Sequence, residues 1–575
     1  MSAAGADPAT RWTVLSPAVA RDWIILDLAE DGSPLARTVF GRDELPAAVA
    51  ARPDTRWVWA DTARAYPVLL AAGVRVRRAW DLRACHRILR TAMPEAAGLG
   101  PASDWDRASA AVAAEEVLFA ADADDEPDAE EAARELRRQL DVLEASPDGP
   151  SLRILMHGES AGAVIAEEMH AAGLPWDAAE HDRILIATLG ERPVGSGAPQ
   201  RMQQLADEVR GALGDAAVNL DSPPKLLRAL HRAGVQVTST SRWELAEQTH
   251  PAVAPLLEYK RLARLLVANG WAWLDEWVRD GRFRPVYVPG GVVTGRWASS
   301  GGGALQIPRA LRPAMRPDPG WVVVDADVAQ LEPRVLAGMS RDLALAKAAR
   351  GRDLYEGVVA SGAVATREEA KYAVLGAMYG ATTGKGGRLV PRLRRTYPAA
   401  MRLVDGAAAA GEDGGSVRTW LGRTAPLPDA EWSALARAAS EEGAEAATRE
   451  NARRITRDRG RFTRNFVVQG TAAEWALCWL AEIRLRLDAL GETPPPLATR
   501  SGPVFANRPH LVFFLHDEVM VHAPAAMADA VAAAVTDAAV AAGRRLFGEF
   551  PIDFPLDIDV VRPVEAGREP HPPAG

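Results

Sequence analysis

Apolar positions along the chain fall into three kinds of pattern. Near the N-terminus, residues 23–27 and 56–60 are short apolar runs that read as strands, and 63–72 has helical spacing, so residues 1 to about 120 form a small α/β unit. The acidic stretch 121–131 contains Pro127 and reads as a linker or exposed loop. From 130 to 290 the apolar spacing is mostly helical, interrupted at 219–224, where Asp221 or Ser222 can cap the next helix. Gly301, Gly302 and Gly303 mark a flexible loop. Beyond it the pattern predicts a strand at 321–324, a helical block over about 330–450, a helix over about 464–489 and a hairpin over about 511–523. The apolar segment 525–543 carries Asp529 and Asp537 and reads as an amphipathic helix on a core, not a membrane span. No internal repeat is evident, and 494–496 and 571–575 are breakers or loose ends.

Length and composition narrow the class. The 575 residues suggest three or four structural units, and 48% hydrophobic with 25% charged residues supports a large core. Two distant cysteines, Cys85 and Cys478, make neither a disulfide framework nor a zinc cluster and fit a reducing, cytoplasmic setting. Residues 1–12 lack the pattern of a secretory signal. The net charge of −9 alone argues against a nucleic-acid partner. Its distribution argues otherwise: acid is dense over 122–135, whereas base concentrates over 385–395 and over 449–464, which holds seven arginines.

Three segments carry candidate chemistry. In the first, Val322-Val323-Val324 delivers Asp325 and Asp327 to a strand end; alternation puts both carboxylates on one side, so spacing does not choose between them. In the second, Arg367, Lys371, Leu375 and Tyr379 are four residues apart and share a helical face, with Gly376 and Gly380 leaving room beside it. Two cations suit a polyphosphate and the aromatic suits a base pair; an ordinary amphipathic helix with snorkelling cations gives the same spacing. In the third, 511–515 and 519–521 flank His516-Asp517-Glu518, a hairpin that lifts two adjacent carboxylates to its tip, an arrangement that invites a cation.

Together, and in this order, these segments resemble motifs A, B and C of family A DNA polymerases, over most of residues 200–560. Asp327, Gln330, Leu331, Glu332 and Arg334 match Asp-x-x-Gln-Ile-Glu-x-Arg with Leu for Ile, and that register selects Asp327 over Asp325. Arg367, Lys371, Gly376, Tyr379 and Gly380 match the second motif, and His516, Asp517 and Glu518 the third. Thr294-Gly295-Arg296 with Leu305-Gln306-Ile307-Pro308 resembles the primer–template element, without its Asn. Arg461, Asn465 and Gln469 before Gly470-Thr471-Ala472-Ala473 resemble a fifth.

The resemblance implies a multidomain α/β chain: an RNase H-like exonuclease-type domain followed by a right-hand polymerase with thumb, palm and fingers. The implied divisions are 1–125 (degenerate 3′–5′ exonuclease-like), 126–200 (linker and entry), 201–290 (thumb), 291–345 (palm), 346–450 (fingers) and 451–575 (palm). It implies a monomer that extends primer–template DNA with dNTPs by two-metal chemistry, in repair or replication. Two Mg²⁺, with Mn²⁺ as a substitute, belong at Asp327, Val328 and Asp517, with Glu518 in support. Lys371 and Arg367 would grip the triphosphate, with Lys371 a proton donor to pyrophosphate. Leu375, Tyr379 and Gln330 would line the nucleotide site, and Glu332 would fill the space of a ribose 2′-hydroxyl. Arg296, Gln306, Arg334, Arg461, Asn465, Gln469 and His516 would hold DNA without reading its sequence. Closure of 350–450 over the nucleotide would give base-pair selectivity.

Departures from the family are specific. Leu375 stands where Phe or Tyr is usual, Val328 where Tyr is, and Phe514 where Gln is, and Pro333 interrupts the start of the helix after motif A. Residues 23–27 resemble the exonuclease domain's first strand, but Leu28 and Ala29 follow Asp27 where Asp-x-Glu is expected, and Ala65 occupies the second-motif position. One carboxylate does not hold two metals, so proofreading is expected to be lost, residual exonuclease activity being the alternative. The chain is also expected to lack a 5′-nuclease domain. A competing signal is Gly158-x-Ser160-x-Gly162 after the apolar run 152–156, the pattern of an α/β-hydrolase nucleophile elbow. A single-subunit RNA polymerase, disfavoured by Glu332, and a catalytically silent junction-binding protein complete the alternatives.

Overall fold

The computed structural model describes residues 10–18, 22–96, 99, 104–106, 126–195, 197–303, 307–380 and 384–563. The chain divides into two compact units: Met1–Gly173 with Val286–Gly301 and Asp318–Gly575, and Leu174–Pro285 with Gly302–Pro317.

The first unit begins with a mixed sheet of β1 (Trp12–Pro17), β2 (Trp23–Leu28), β3 (Pro34–Phe40), β4 (Arg56–Trp59) and β5 (Ala79–Asp81) in the order β3-β2-β1-β4-β5. β1, β2 and β3 pair antiparallel, whereas β4 runs parallel to β1 and β5 parallel to β4. The strand expected as first, 23–27, is the second: β1 precedes it at the sheet's centre. The run Trp12-Thr13-Val14-Leu15-Ser16-Pro17 is buried on both faces up to Ser16, so it lacks the alternation that would have revealed it.

The helix Gly149–Ala172 carries the Gly158-Glu159-Ser160-Ala161-Gly162 segment in its interior, and this overturns the hydrolase reading. An elbow needs a strand, a sharp turn and an exposed hydroxyl. Here Ser160 is fully buried, and its Oγ donates to Met156 O at 2.8 Å and accepts from Asp81 N at 3.0 Å. The two glycines instead serve close packing. A Cβ at Gly162 would come within 2.8 Å of the Leu477 side chain, and one at Gly158 within 3.4 Å.

The second unit is largely helical, with Gln200–Leu213 and Val253–Asn269 its longer helices. A small sheet pairs β7 (Val278–Arg279) with β8 (Arg282–Phe283) and β8 with β6 (Leu174–Pro175). Trp176, His181, Trp273 and Phe283 pack there with ring centroids 4.8–6.0 Å apart.

Back in the first unit, β9 (Val286–Val288) and β10 (Ala298–Gly301) form a ribbon. The four-stranded sheet that follows has β11 (Trp321–Val328) flanked by β13 (Glu518–Pro524) and β14 (Leu556–Val561), with β12 (His510–Leu515) on the outer side of β13. The β-branched run Val322–Val324 is buried on both faces of this antiparallel sheet. The expected helical break near 450–464 is absent. One helix, Ala446–Ala489, carries both the arginine cluster and the Gln469-Gly470-Thr471 segment. Its exposed start is laced by Arg453–Glu450 and Arg461–Asp458 pairs. The helix Ala528–Phe547 lies against β11 and β13 with Val531, Val535, Ala538, Ala542 and Leu546 buried. By length and composition alone the segment Ala525–Phe547 is apolar enough to cross a membrane. One face packs into this core instead.

Candidate active site

The end of β11 and the tip of the β12–β13 hairpin meet at one end of the sheet's strands. Leu515 and Glu518 are the last paired residues, so His516 and Asp517 form the two-residue loop. His516 takes φ +58°, the left-handed conformation such tight hairpins demand. Val328 N donates to Asp517 O at 2.9 Å, and Asp327 pairs across from Glu518 on one side and Asp557 on the other. Asp327 and Asp517 thereby become neighbours. Asp325, two residues deeper, is buried beside Met520 and Asp559. Glu518 is buried at 6% exposure, behind rather than at the tip.

The electrostatics of the pair are unfavourable as they stand. Burial first, and the Asp327 charge second, push Asp517 up to about 7. No group of three or more His, Cys, Asp or Glu residues is arranged to hold a metal among the described residues. Two carboxylates that repel each other fit Mg²⁺, which needs one or two protein carboxylates and fills its shell from water and phosphate. In divalent-free buffer the folded Asp517 titrates near 7, while the unfolded residue titrates at about 3.9. The folded state therefore holds more protons between about pH 4 and 7, and stability falls as pH rises through that window. Asp517→Asn is expected to melt above the parent in EDTA at pH 8, with the gain shrinking toward pH 5. A parent that melts higher at pH 8 would refute the strained pair.

A cleft of about 320 Å³ opens beside the carboxylates, lined among others by Arg296, Gln330, Glu332, Leu375, Tyr379 and Asp517. Arg296 Nη2 and Tyr379 Oη both donate to the Glu332 carboxylate, which links three predicted residues across its mouth. Burial, with Glu332 alongside, raises the Tyr379 hydroxyl. The His516 ring is exposed at the loop tip, yet the surrounding protein and then Arg296 lower its pKa. Trp297 packs edge-on against Phe514 at 5.0 Å, so the Phe that replaces the usual Gln extends an aromatic floor through Tyr287.

The helix Arg367–Tyr379 forms one wall. Thr366 caps it by accepting from Glu369 N at 3.1 Å, and Gly380 ends it at φ +73°. A Cβ at Gly380 would come 2.9 Å from the Arg461 side chain, a physical reason for glycine there. Arg464, which the sequence did not single out, donates to Ala377 O at 2.7 Å and ties this helix to the long one. Lys371 is exposed and has no ion-pair partner among the described residues. Arg367 bonds Asp353 at 2.7 Å and lies over the Tyr355 ring at 5.6 Å. Asp353 was also missed, although Asp353-x-x-Glu356 is a helix-start signal. Burial alone would raise Asp353, but the bond from Arg367 and the N–H it caps outweigh that and hold it low. Gln330, at φ +50°, donates to Asp353 at 3.2 Å and accepts from Leu354 N at 3.2 Å, so it braces the wall that carries Arg367. Arg461, Asn465 and Gln469 follow one another along the long helix beside Tyr379. Gln306 lies outside the described residues.

Two expectations need correction. Arg334, expected on DNA, is fully buried. It donates to the carbonyls of Ala329, Ala349 and Arg352 and to the Asp553 carboxylate at 2.8–3.0 Å. It has no surface to offer a strand. Pro333 does not interrupt its helix, which runs Leu331–Ser340 with Pro333 in the first turn, where no N–H is required.

The sequence model of DNA polymerase family A matches residues 194–561, well over half of the chain. The chain belongs to DNA polymerase family A. It is similar to the thermostable DNA polymerase I of Thermus thermophilus, at 28% identity over 404 residues, 62% of this chain and 43% of that protein. It is also similar to DNA polymerase I of Chloroflexus aurantiacus, at 29% over 350 residues, 56% and 33% of the two chains. The chain thus spans less than half the length of these family A relatives. Its fold is shared with the POL domain of Pol1 from M. smegmatis in complex with DNA primer-template and dNTP, at TM-score 0.65 and 18% identity, over 96% of this chain and 95% of that one. Family A DNA polymerases use divalent metal ions.

Proposed function

We propose that the chain extends a DNA primer on a DNA template with dNTPs, by metal-assisted nucleotidyl transfer. One observation carries this reading: Asp327 at the end of β11 and Asp517 at the hairpin tip are neighbours at the rim of a cleft walled by Arg296, Glu332 and Tyr379. Asp327 and Asp517 would hold Mg²⁺, or Mn²⁺ in its place, which when bound acidifies the primer 3′-hydroxyl and neutralises the triphosphate. Lys371 offers a compact cation to the triphosphate. Arg367, whose guanidinium lies over the Tyr355 ring, joins it after exchanging Asp353 for phosphate. Glu332, held from two sides by Arg296 and Tyr379, occupies the position that crowds a 2′-hydroxyl. His516, Arg296, Gln469, Asn465 and Arg461 position the duplex by its backbone and minor-groove edges. The test is Mg²⁺-dependent extension of a labelled primer on a defined template; no extension by folded, template-bound protein refutes the reading.

Leu375 lines the cleft where an aromatic side chain is usual in the family. A branched aliphatic group presents no flat face to the incoming sugar, so discrimination among dNTPs, ddNTPs and rNTPs is expected to be weaker or altered. Leu375→Tyr should shift the incorporation ratios toward those of an aromatic-bearing family member. Parity of the parent with such an enzyme would count against this.

The N-terminal sheet reads as an exonuclease-type domain without catalysis. The structurally first strand ends in Ser16-Pro17-Ala18, with no carboxylate. Asp27, on the second strand, is buried and engaged by Arg52 at 3.2 Å and Thr13 Oγ1 at 2.9 Å. A carboxylate held this way serves the fold. A mismatched primer end is expected to persist when dNTPs are withheld; its removal, abolished by Asp27→Ala, would overturn this.

A further inference from the structure

A second cavity, of about 780 Å³, lies at the opposite end of the N-terminal sheet from the close of β1, where the starts of β1 and β4 and the residue before β5 come together. Arg11, Arg56, Arg78 and Arg153 line it, and none has an ion-pair partner among the described residues. Arg52 also lines it but is neutralised by Asp27. Two acids, Glu30 and Asp54, also line it; both are exposed, and Asp54 lies 3.9 Å from Arg77, outside the cavity lining. Thr10 and His157 complete the lining, their Oγ1 and Nδ1 atoms buried behind it without a hydrogen-bond partner among the described residues.

The guanidinium groups repel one another. Burial first, then Arg78, brings Arg56 down to about 10. Burial, then Arg56, Arg153 and Arg78, pushes His157 down to about 3, so its ring is neutral. Arg56 is fixed in place: its Nη1 donates to Ala79 O at 3.3 Å and its guanidinium lies 5.8 Å from the Trp12 ring centre. His157 is fixed edge-on to Trp80 at 5.1 Å. Arg56 is therefore preorganised, and the lining carries more arginines than acids. Nothing in the proposed polymerase chemistry uses it.

We propose that this cavity binds a compact polyphosphate anion, with Arg56, Arg78 and Arg153 as its guanidinium clamp. Planar guanidinium forks match phosphate oxygens in pairs, and several around one open cavity favour a multiply charged group. The volume falls within the roughly 300–1,000 Å³ of small-ligand sites. A single-stranded nucleic acid fits poorly, because such strands need exposed aromatic platforms. Trp12 is only 7% exposed and Arg56 already lies over it.

The test is calorimetric titration of the full chain with tripolyphosphate in metal-free, low-salt buffer, repeated with dATP, dTTP and a thymidine oligonucleotide. A Lys371→Ala background removes the triphosphate grip of the polymerase cleft and separates the two readings. One-site tripolyphosphate binding is expected to survive Lys371→Ala. It should weaken about tenfold in Arg78→Ala, an exposed position that leaves the fold intact, and further in Arg78→Ala/Arg153→Ala. Primer extension should be unchanged in both. Equal affinity for dATP, dTTP and tripolyphosphate identifies a nucleotide's phosphate tail as an acceptable source; binding of tripolyphosphate alone identifies the free anion. Affinity unchanged by the arginine substitutions, binding lost in Lys371→Ala, or binding of the oligonucleotide only would each overturn the proposal.

Discussion

Asp517→Asn is expected to lower the rate of primer extension at saturating dNTP by about a thousandfold or more, with primer–template affinity nearly unchanged. The size follows from what a carboxylate does at a divalent ion: several kcal/mol of transition-state charge stabilisation depend on it, and each 1.4 kcal/mol is about tenfold in rate. Asp327→Asn should be equally crippling. The double variant should be little worse than either single one, because the two side chains act as a unit and such losses do not add. Glu518→Gln should cost far less, since Glu518 is buried behind the tip. Single-turnover extension, with gel-shift affinity as the binding control, measures all four. If Asp325→Asn, folded by melting, is as damaging as Asp327→Asn, the assignment of the strand-end ligand fails.

The largest loss of stability is expected at Arg334. Arg334 is buried but its carboxylate partner Asp553 is half-exposed, so the cost lies mainly in the buried carbonyls left unsatisfied, about 1–3 kcal/mol each. Arg334→Ala would strand the carbonyls of Ala329, Ala349 and Arg352, which its Nε, Nη1 and Nη2 reach at 2.8–3.0 Å, and release Asp553. Arg334→Lys should be only partly better, because one ammonium does not reproduce the five fixed N–H directions that meet acceptors on three segments. Urea unfolding should report the loss, while DNA affinity of the folded fraction stays within about twofold of the parent by the proportion expected of a side chain that touches no strand. A stable Arg334→Ala with selectively weakened DNA binding would restore the reading made from the motif.

These two residues mark where the sequence was legible. Asp327 and Arg334 belong to one motif and are seven positions apart, yet one is half-buried at the strand end beside Asp517 and the other is sealed in the core. Residue type and spacing carry the motif, but which way a helical side chain points depends on what packs against it. Arg334 is enclosed because the loops at Ala349–Arg352 and Asp553 fold over it. Similarly, Gly158-x-Ser160-x-Gly162 is the same string in an elbow and in a helix. Leu477 decides between them, through a helix that approaches closely enough to exclude a Cβ.

By itself the sequence determined the local elements and their chemistry. The β-branched run ahead of Asp327 is a buried strand, the two apolar runs around His516 and Asp517 make a hairpin, though Glu518 belongs to its strand and not its tip, and the four-residue stripe from Arg367 to Tyr379 shares a helical face. These are short-range consequences of backbone geometry, which needs no partner to be read. The tertiary structure alone decided the contacts between distant segments. It set Asp517 against Asp327 through the β11–β13 pairing, tied Arg296 and Tyr379 to Glu332, and gathered four arginines without an ion-pair partner among the described residues around one cavity in the N-terminal sheet. Such meetings depend on sheet order and helix packing. Those are settled by the burial of many side chains at once, and no single stretch of sequence records them.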